Sequence, residues 1–261
     1  MIEYFAKLSF LKRFISSIGK RTLKILGKNR GYFNINGIYF FLDFLDPIDR
    51  EIIINKKYEH DQVMFIENEM KKNLFSYFLD IGSNSGYYSF YFANKFKNLK
   101  ILSFEPNFEA FYKLKKTLKK NSFNNIKIFN FGLSNKKTNV YMKSMIKNGF
   151  VHSNSSILNN LREFKDKNFK IFESNLRVGD HEIKLKNKRL LIKIDVEGHE
   201  IFVLKGLIKN LNQNKCLILI EIGDNKFNKV NNFMIKNHFK LLFKSKLRSD
   251  YVYSNLNDKM N

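Results

Sequence analysis

The chain has 261 residues, of which 44% are hydrophobic, and it carries a formal net charge of +23. That length and apolar content are ample for one large domain with its own core. The chain contains one cysteine, Cys216, which excludes a disulfide framework and predicts a protein of the reducing cytoplasm.

The basic charge taken alone would favour nucleic acid or an anionic membrane as a partner. However, the chain is rich in Lys, Asn, Ile and Phe and has 2 prolines and no tryptophan. The abundant residues are those with A/T-rich codons. We therefore interpret much of the charge as genome composition spread over solvated surfaces, and we do not predict a nucleic-acid partner.

Residues 1–30 form a basic segment with apolar side chains at helical spacing. Leu8, Leu11, Ile15 and Ile18 would share one helical face, with Lys, Arg and Ser on the other. No apolar run is long enough for a signal-peptide core or a membrane span. Two interpretations stay open. The segment is either an interfacial helix on the inner, anionic face of a membrane or a helix packed on the domain or a partner subunit.

Residues 31–74 predict a β-hairpin and a helix that precede the main α/β core. The pair Asn36-Gly37 lies between aromatic-rich runs, and Asn-Gly in that setting is the strongest short-range signal for a hairpin. Asp46 and the proline after it end the hairpin. We interpret this section as a cap or an edge, with a hairpin of 32–36 with 38–44 and a helix from about 60 to 72.

From residue 75 to residue 261 the pattern alternates between strand and helix. Such alternation predicts a mostly parallel, Rossmann-like sheet with helices on its faces. The predicted strands are 76–80, 101–105, 126–131, 190–195 and 216–222. The predicted helices are 86–96, 107–120, 199–209 and 226–236. Two short runs, 239–244 and 250–253, end the chain, and the polar segment 132–189 is long for one connection, so we interpret it as a lid on the substrate side.

The first strand of this core leads into a glycine turn that suits a bound cofactor. Asp80 is followed by Gly82 and Gly86, with Ser83 and Asn84 between them. Glycine has no Cβ, so backbone amides in such a turn can approach a ligand closely. Glu105 lies nineteen residues after Gly86, the spacing at which an acidic residue binds ribose hydroxyls in doubly wound folds.

The charge at this turn indicates which cofactor it binds. A dinucleotide site presents G-x-G-x-x-G to a pyrophosphate, but here Asp80 stands two residues before the first glycine. A carboxylate there would repel a pyrophosphate and would suit a cationic ligand. S-adenosylmethionine carries an ammonium and a sulfonium and no phosphate, so the sequence favours it over NAD.

The chain resembles the FkbM family of S-adenosylmethionine-dependent methyltransferases. The resemblance covers roughly residues 58–224, with its blocks in order at 78–87, 104–107, 132–134, 192–200 and 203–206. Ser83 departs from the alanine usual in the family. The resemblance implies a class I methyltransferase fold with a seven-stranded sheet closed by an antiparallel C-terminal hairpin. It also implies O-methylation of an acceptor hydroxyl, often on a sugar, a glycan or another small molecule.

On this reading the cofactor contacts come from seven residues. Asp80 would hold the methionine end, Glu105 the ribose hydroxyls, and Asn107 would assist near the adenine. The close-approach turn comprises Gly82, Ser83, Asn84 and Gly86.

The acceptor hydroxyl also needs a proton acceptor. Four residues near strand ends are candidates, namely Asp195, Glu197, His199 and Glu221. Lys193 lies on the same sheet face as Asp195, and a pair between them would argue against Asp195 as the base. Asp195 could also cap the following helix. A divalent metal held by these residues is an alternative, although we predict no metal ligands.

Two other functions stay open. One is a methyltransferase that acts on RNA ribose hydroxyls, suggested by the charge. The other is a catalytically inactive, membrane-associated scaffold that keeps the fold. The intact set of Asp80, Gly82, Gly86 and Glu105 argues for activity.

Overall fold

The computed structural model describes residues 29–147, 150–158, 166–244 and 249–256. The predicted amphipathic helix within residues 1–30 therefore lies outside the described residues, apart from 29 and 30. The strands are β1 Arg30–Ile35, β2 Ile38–Asp43, β3 Tyr77–Ile81, β4 Lys100–Phe104, β5 Ile126–Phe129, β6 Gly132–Ser134, β7 Thr138–Lys147, β8 Phe150–Ile157, β9 Phe169–Val178, β10 Arg189–Ile194, β11 Lys215–Glu221, β12 Lys240–Lys244 and β13 Asp250–Ser254. The helices are α1 Pro47–Asn55, α2 His60–Lys72, α3 Tyr87–Lys95, α4 Phe108–Lys120, α5 Gly179–Glu182, α6 Glu200–Gly206, α7 Ile208–Gln213 and α8 Phe227–Lys236.

The centre of the molecule is a seven-stranded sheet in the order β12-β13-β11-β10-β3-β4-β5. Five of these strands run parallel to their neighbours, and β13 and β12 close one edge in antiparallel pairing. The predicted fold class is confirmed, including the antiparallel end. All five predicted core strands are present, with bounds that shift by one or two residues.

Apart from Lys193, the two central strands β10 and β11 are apolar on both faces where they are buried. In β10, residues 190–194 are all buried, and in β11 residues 216–220 are all buried. Such runs without polar alternation are typical of strands inside a parallel sheet. Cys216 packs in this core, where burial raises the pKa of its thiol to about 12, so it serves packing.

The predicted hairpin is present, and its buried side chains belong to the hydrophobic core on one face of the sheet. Asn36 and Gly37 both have positive φ, as a two-residue hairpin turn requires. Ile35, Phe40 and Leu42 are buried against Phe90 and other residues of α3. Backbone contacts of β2 with α4 fix the hairpin in place.

The first correction concerns α1, Pro47–Asn55, which the sequence analysis did not predict. Asp46 is its N-cap, and its side chain accepts hydrogen bonds from the backbone N–H groups of Ile48 and Asp49. Proline at the first helical position is favoured because its missing N–H has no partner there in any helix. The Asp46-Pro47 pair therefore starts a helix as well as ending the hairpin.

The segment predicted as a lid contains a second sheet of four strands, in the order β6-β9-β7-β8. Thr138 of β7 pairs with Leu176 of β9 across a long stretch of chain. These strands are polar and their pairing is non-local, so the pattern of hydrophobic residues did not show them. None of the helices within the described ranges is both long and apolar enough to cross a membrane.

Candidate active site

A cavity of about 350 Å³ lies at the carboxyl ends of β3, β4, β10 and β11. In the sheet, β4 lies on one side of β3 and β10 lies on the other side. In open α/β sheets, ligands bind at such a switch in strand order. We call the sheet side of this cavity the floor, which comprises residues 80–84, Glu105, Lys193 and Asp195.

The glycine turn follows β3 and closes tightly against the neighbouring strands. The N–H groups of Gly82 and Ser83 both donate to the carbonyl of Phe104, at 3.0 and 3.1 Å. Gly82 has φ of +83°, and a Cβ there would lie 1.8 Å from the carbonyl oxygen of Asp195. Only glycine therefore fits this position.

Glu105 is held by the turn and by the start of α4. Its Oε2 accepts from the N–H of Asn84 at 2.7 Å, and its Oε1 accepts from the N–H of Asn107 at 2.8 Å. Burial raises its pKa to about 7, although these two N–H groups act in the opposite direction. The carboxylate is fixed in position and lines the cavity.

Asp80 is buried at the end of β3 and has one oxygen without a partner. Its Oδ2 accepts from the hydroxyl of Ser89 at 2.6 Å, while Oδ1 is buried and has no hydrogen bond. Burial raises the pKa of Asp80, and the charge of Lys193 opposes that rise. A buried carboxylate oxygen without a donor is costly unless a ligand supplies one.

Two other buried polar atoms at the cavity lack a partner among the residues that the structure describes. They are Oδ1 of Asn84 and Oγ of Ser153. Asn84 has a left-handed backbone with φ of 48°. Together with Asp80 Oδ1, these atoms offer acceptor and hydroxyl groups to a bound polar molecule.

Two predicted cofactor residues do not line the cavity. Gly86 is the N-cap of α3 with φ of +80°, and a Cβ there would overlap Leu114 and Phe90, so it serves packing. The side chain of Asn107 caps α4 by accepting from Glu109 and Ala110. The contact of Asn107 with adenine stays a prediction, while its backbone N–H positions Glu105.

Lys193 and Asp195 form an ion pair in the floor, with Nζ 2.8 Å from Oδ2. Burial would lower the pKa of Lys193, but Asp195, Glu59 and Asp80 outweigh it and raise the pKa above its ordinary value. The ammonium also lies 4.8 Å from the ring centroid of Tyr88. This pair occupies one oxygen of Asp195.

Glu197 and Glu221 stand at the open side of the cavity. Glu197 has a left-handed backbone with φ of 48°, and its Oε1 accepts from Nδ2 of Asn154 at 2.5 Å. Partial burial and the neighbouring Asp195 raise its pKa. Partial desolvation, with Asp195 and Asp250 nearby, raises the pKa of Glu221 to about 7. Glu221 can therefore take a proton near neutral pH, and Glu197 takes one more readily than an exposed carboxylate would.

His199 lines the cavity but is a weak proton acceptor. Burial, together with the charge of Lys226, lowers its pKa to about 4. Its Nε2 lies 2.9 Å from the hydroxyl of Ser134, and its ring stacks on Phe202 with centroids 4.7 Å apart. These contacts favour a positioning role over acceptance of the reaction's proton.

The opposite wall of the cavity, which we call the roof, comprises Met142, Ser153, Asn154, Ser155 and Ile157. The backbone N–H of Ser153 donates to Oδ2 of Asp46 at 2.8 Å, and its carbonyl accepts from Nδ2 of Asn107 at 3.1 Å. The sequence analysis missed these residues and also Tyr58 and Glu59, which follow α1 and line the cavity. No local motif marks them, because folding brings them to the site from distant positions.

The cavity is strongly acidic and offers little to a metal ion. Six carboxylates line it, whereas Lys193 is its one lysine among the residues that the structure describes. Within the same ranges, no group of three or more His, Cys, Asp or Glu side chains is placed to hold a metal ion. The six carboxylates belong to Glu59, Asp80, Glu105, Asp195, Glu197 and Glu221.

A sequence profile described as the methyltransferase FkbM domain matches residues 80–249. "Methyltransferase 1" of Beauveria bassiana is 26% identical over 177 residues, which cover 61% of this chain and 66% of that protein. The chain thus spans slightly less than two thirds of this relative.

Two solved structures match this chain, of which the first reaches a TM-score of 0.50. The methyltransferase FkbM of Methylobacillus flagellatus has a TM-score of 0.50 at 14% identity, covering 69% of this chain and 43% of that one. M. jannaschii TYW2, solved with AdoMet, has a TM-score of 0.41 at 14% identity, covering 87% and 84%.

Proposed function

The chain belongs to the FkbM methyltransferase family, and from that premise we propose that it methylates a hydroxyl group of a sugar-containing acceptor with S-adenosylmethionine as the methyl donor. The proposal depends on one observation: the cavity is acidic, the glycine turn borders it, and the unpartnered Oδ1 of Asp80 lies at its floor. When bound, S-adenosylmethionine supplies an electrophilic methyl group on a sulfonium.

The charge of the cavity supports a cationic ligand. Six carboxylates against one lysine would attract an ammonium and a sulfonium and would repel a pyrophosphate. Oδ1 of Asp80 is free to accept from an ammonium. Glu105, whose two oxygens are already fixed by backbone N–H groups, keeps lone pairs for ribose hydroxyls. The position of Gly82 lets the backbone approach the ligand without a side chain between them.

For the proton of the acceptor hydroxyl we assign Glu197 as the acceptor. Its pKa is raised, and its left-handed backbone places it at the open side of the cavity. Asn154 holds one of its oxygens and leaves the other available. Asp195 is engaged by Lys193, and His199 has too low a pKa to hold the proton near neutrality. Glu221 adds negative charge beside Glu197.

The roof would exclude water from the transfer. Ile157 and Met142 present apolar surface to the cavity, and the backbone of Ser153 is fastened on both sides. Methyl transfer needs the acceptor oxygen in line with the breaking bond, which is largely a matter of positioning. A cytoplasmic location and contact of residues 1–30 with an anionic membrane stay predictions.

The test is calorimetric titration with S-adenosylhomocysteine. We expect micromolar binding that Glu105→Ala weakens roughly 10- to 100-fold, because a hydrogen bond to a charged group contributes about 1.5–3 kcal/mol. Glu109→Ala is the matched control, since Glu109 lies nearby on α4, is half-buried and does not line the cavity. If the folded protein does not bind S-adenosylhomocysteine, the proposal is wrong.

A further inference from the structure

A second cavity, of about 520 Å³, opens beside the first. The two cavities share Glu197 and His199, and also Ile157 and Leu176. A molecule in the second cavity would therefore reach the proposed proton acceptor at the boundary with the first. The sequence analysis gave this region no role beyond the candidate residues at that boundary.

The second cavity is lined by three lysines, Lys136, Lys226 and Lys229. Lys226 donates to the carbonyl of Gly198 at 2.8 Å, which holds its ammonium at the cavity wall. Within the described ranges, neither Lys136 nor Lys229 forms an ion pair with a carboxylate. Both side chains are exposed, so their charge is available to an anion.

Both carboxylates at this cavity accept a hydrogen bond from a nearby residue. Glu197 accepts from Asn154 toward the first cavity. Glu200 is 3% exposed, and its Oε1 accepts from the N–H of Gly198. The mouth of the second cavity is therefore cationic, in contrast to the acidic first cavity.

A flat aromatic surface lies among these cations. The rings of His199 and Phe202 stack at 23° to one another, and Phe202 remains 39% exposed. Nζ of Lys229 lies 5.9 Å from the centroid of the Phe202 ring. An exposed aromatic face can pack against the C–H face of a sugar ring, while the nearby ammonium groups would bind an anionic substituent.

We propose that the second cavity is the acceptor site and that it takes a saccharide carrying an anionic group, either a phosphate monoester or a carboxylate. Its role as an acceptor site rests on the proposed methyltransferase function. The anionic group would contact Lys136 and Lys229, the sugar ring would lie on Phe202, and the hydroxyl to be methylated would point to Glu197.

The absence of tryptophan from the chain permits a direct binding test. Phe202→Trp places the chain's single tryptophan in the cavity and keeps an aromatic face. The probes are glucose 6-phosphate, glucuronate, inorganic phosphate and neutral glucose, titrated at constant ionic strength. We expect the three anions to change the fluorescence in the millimolar range, with glucose binding at least tenfold more weakly than its phosphate.

Charge reversal then locates the binding. Adding Lys229→Glu should weaken the binding of glucose 6-phosphate by about tenfold or more, because a charge-assisted hydrogen bond is lost and a repulsion is added. Lys236→Glu makes the same change of charge at an exposed position farther along α8 and should have little effect. Calorimetry of each variant with S-adenosylhomocysteine reports separately on the first cavity.

Three results would overturn the inference: no binding of any anionic probe, equal binding of glucose and its phosphate, or equal losses for the two charge reversals. If these results came with intact binding of S-adenosylhomocysteine, the proposed function would survive. If the anionic sugars bind in the predicted order while S-adenosylhomocysteine does not, the anionic-sugar site stands and the methyltransferase proposal fails.

Discussion

The floor and the roof of the first cavity are built in different ways. The floor comes from the ends of adjacent parallel strands, and its key groups are buried and held by backbone hydrogen bonds, as with Glu105 and the turn at Gly82. The roof comes from a separate four-stranded sheet and is held over the floor by a few long-range contacts at Ser153 and Asn154.

Under the proposed function, this difference would separate binding of the cofactor from control of the acceptor. A rigid floor suits a ligand whose shape is fixed. A roof held by a small number of polar contacts can differ between related enzymes without disturbing the sheet. We therefore expect changes in the floor to affect S-adenosylhomocysteine affinity, and changes in the roof to affect the transfer step. Five variants test that separation.

The largest effect is expected at Lys113, whose buried ammonium lies 2.6 Å from Asp49 and 3.7 Å from Asp46, the residue that holds the roof at Ser153. Lys113→Met leaves both carboxylates buried without their cation, so the free energy of unfolding should fall by about 3–5 kcal/mol. Urea unfolding would measure this loss. Lys115→Met, at an exposed position of the same helix, should change it little.

The same variant has an expected pH dependence. Burial raises the pKa of Asp49 to about 6 even with Lys113 present. If a carboxyl has a higher pKa in the folded state than in the unfolded state, the protein's free energy of unfolding falls as pH rises from about 4 toward the folded value. Without Lys113 that pKa rises further, so the loss should be larger at pH 8 than at pH 5. Equal losses at both pH values would contradict this account.

A smaller loss is expected for Gly82→Ala in the floor. The left-handed backbone costs about 1–2 kcal/mol for alanine and overpacking against Asp195 about 1–3 kcal/mol. We therefore expect a lower melting temperature and much weaker binding of S-adenosylhomocysteine. Gly31→Ala is the control, because a Cβ at Gly31 meets nothing within 4 Å. Wild-type affinity in Gly82→Ala would show that the floor is less rigid than its contacts indicate.

Glu197→Gln tests the proton acceptor. The transfer rate should fall by about 100-fold, the lower end of the range for general-base catalysis, while S-adenosylhomocysteine affinity stays the same. In the wild type the rate should rise with pH as Glu197 ionises, above the ordinary range for a carboxyl. Transfer of a labelled methyl group from S-adenosylmethionine to the anionic sugars would measure both the loss of rate and its pH dependence.

Glu221→Gln distinguishes the two carboxylates. It should keep most of the activity and shift the rise of the rate to lower pH, because one neighbouring negative charge is removed. If instead Glu221→Gln abolishes transfer and Glu197→Gln does not, the proton acceptor is Glu221, whose pKa is about 7.

The smallest effect is expected for Asn154→Ala in the roof. The variant loses one hydrogen bond to Glu197 at a solvent-exposed position, so kcat/KM should fall by about fivefold. Binding of S-adenosylhomocysteine should not change. Asn139→Ala, elsewhere in the four-stranded sheet, is the control. A loss of cofactor affinity in Asn154→Ala would mean that floor and roof are not separable.

The sequence predicted the features that depend on neighbouring residues. The Asn36-Gly37 turn and the alternation of strands and helices are confirmed, as is the antiparallel closure that the family resemblance implied. Asp80, Gly82 and Glu105 come together as their spacing indicated. These succeed because the period of a strand and the backbone freedom of glycine act locally.

Other features could not be predicted because residues far apart in the chain create them. The position of Asn107 after Glu105 predicts a cofactor residue, but its side chain forms hydrogen bonds with the start of α4 and with the carbonyl of Ser153. The ordinary pKa of histidine predicts that His199 could act as a base, but burial and the charge of Lys226 lower its pKa to about 4.

By itself, then, the sequence determined the succession of strands and helices along the core and the acidic residues at the strand ends, since each follows from a short pattern. Only the tertiary structure decided which carboxylates are free and what covers them. Tyr58, Ser153 and Asn154 reach the cavity from elements with no motif of their own, and the second cavity has its lysines on two separated segments. Burial, pairing and shared walls depend on contacts across the whole chain, which no local pattern records.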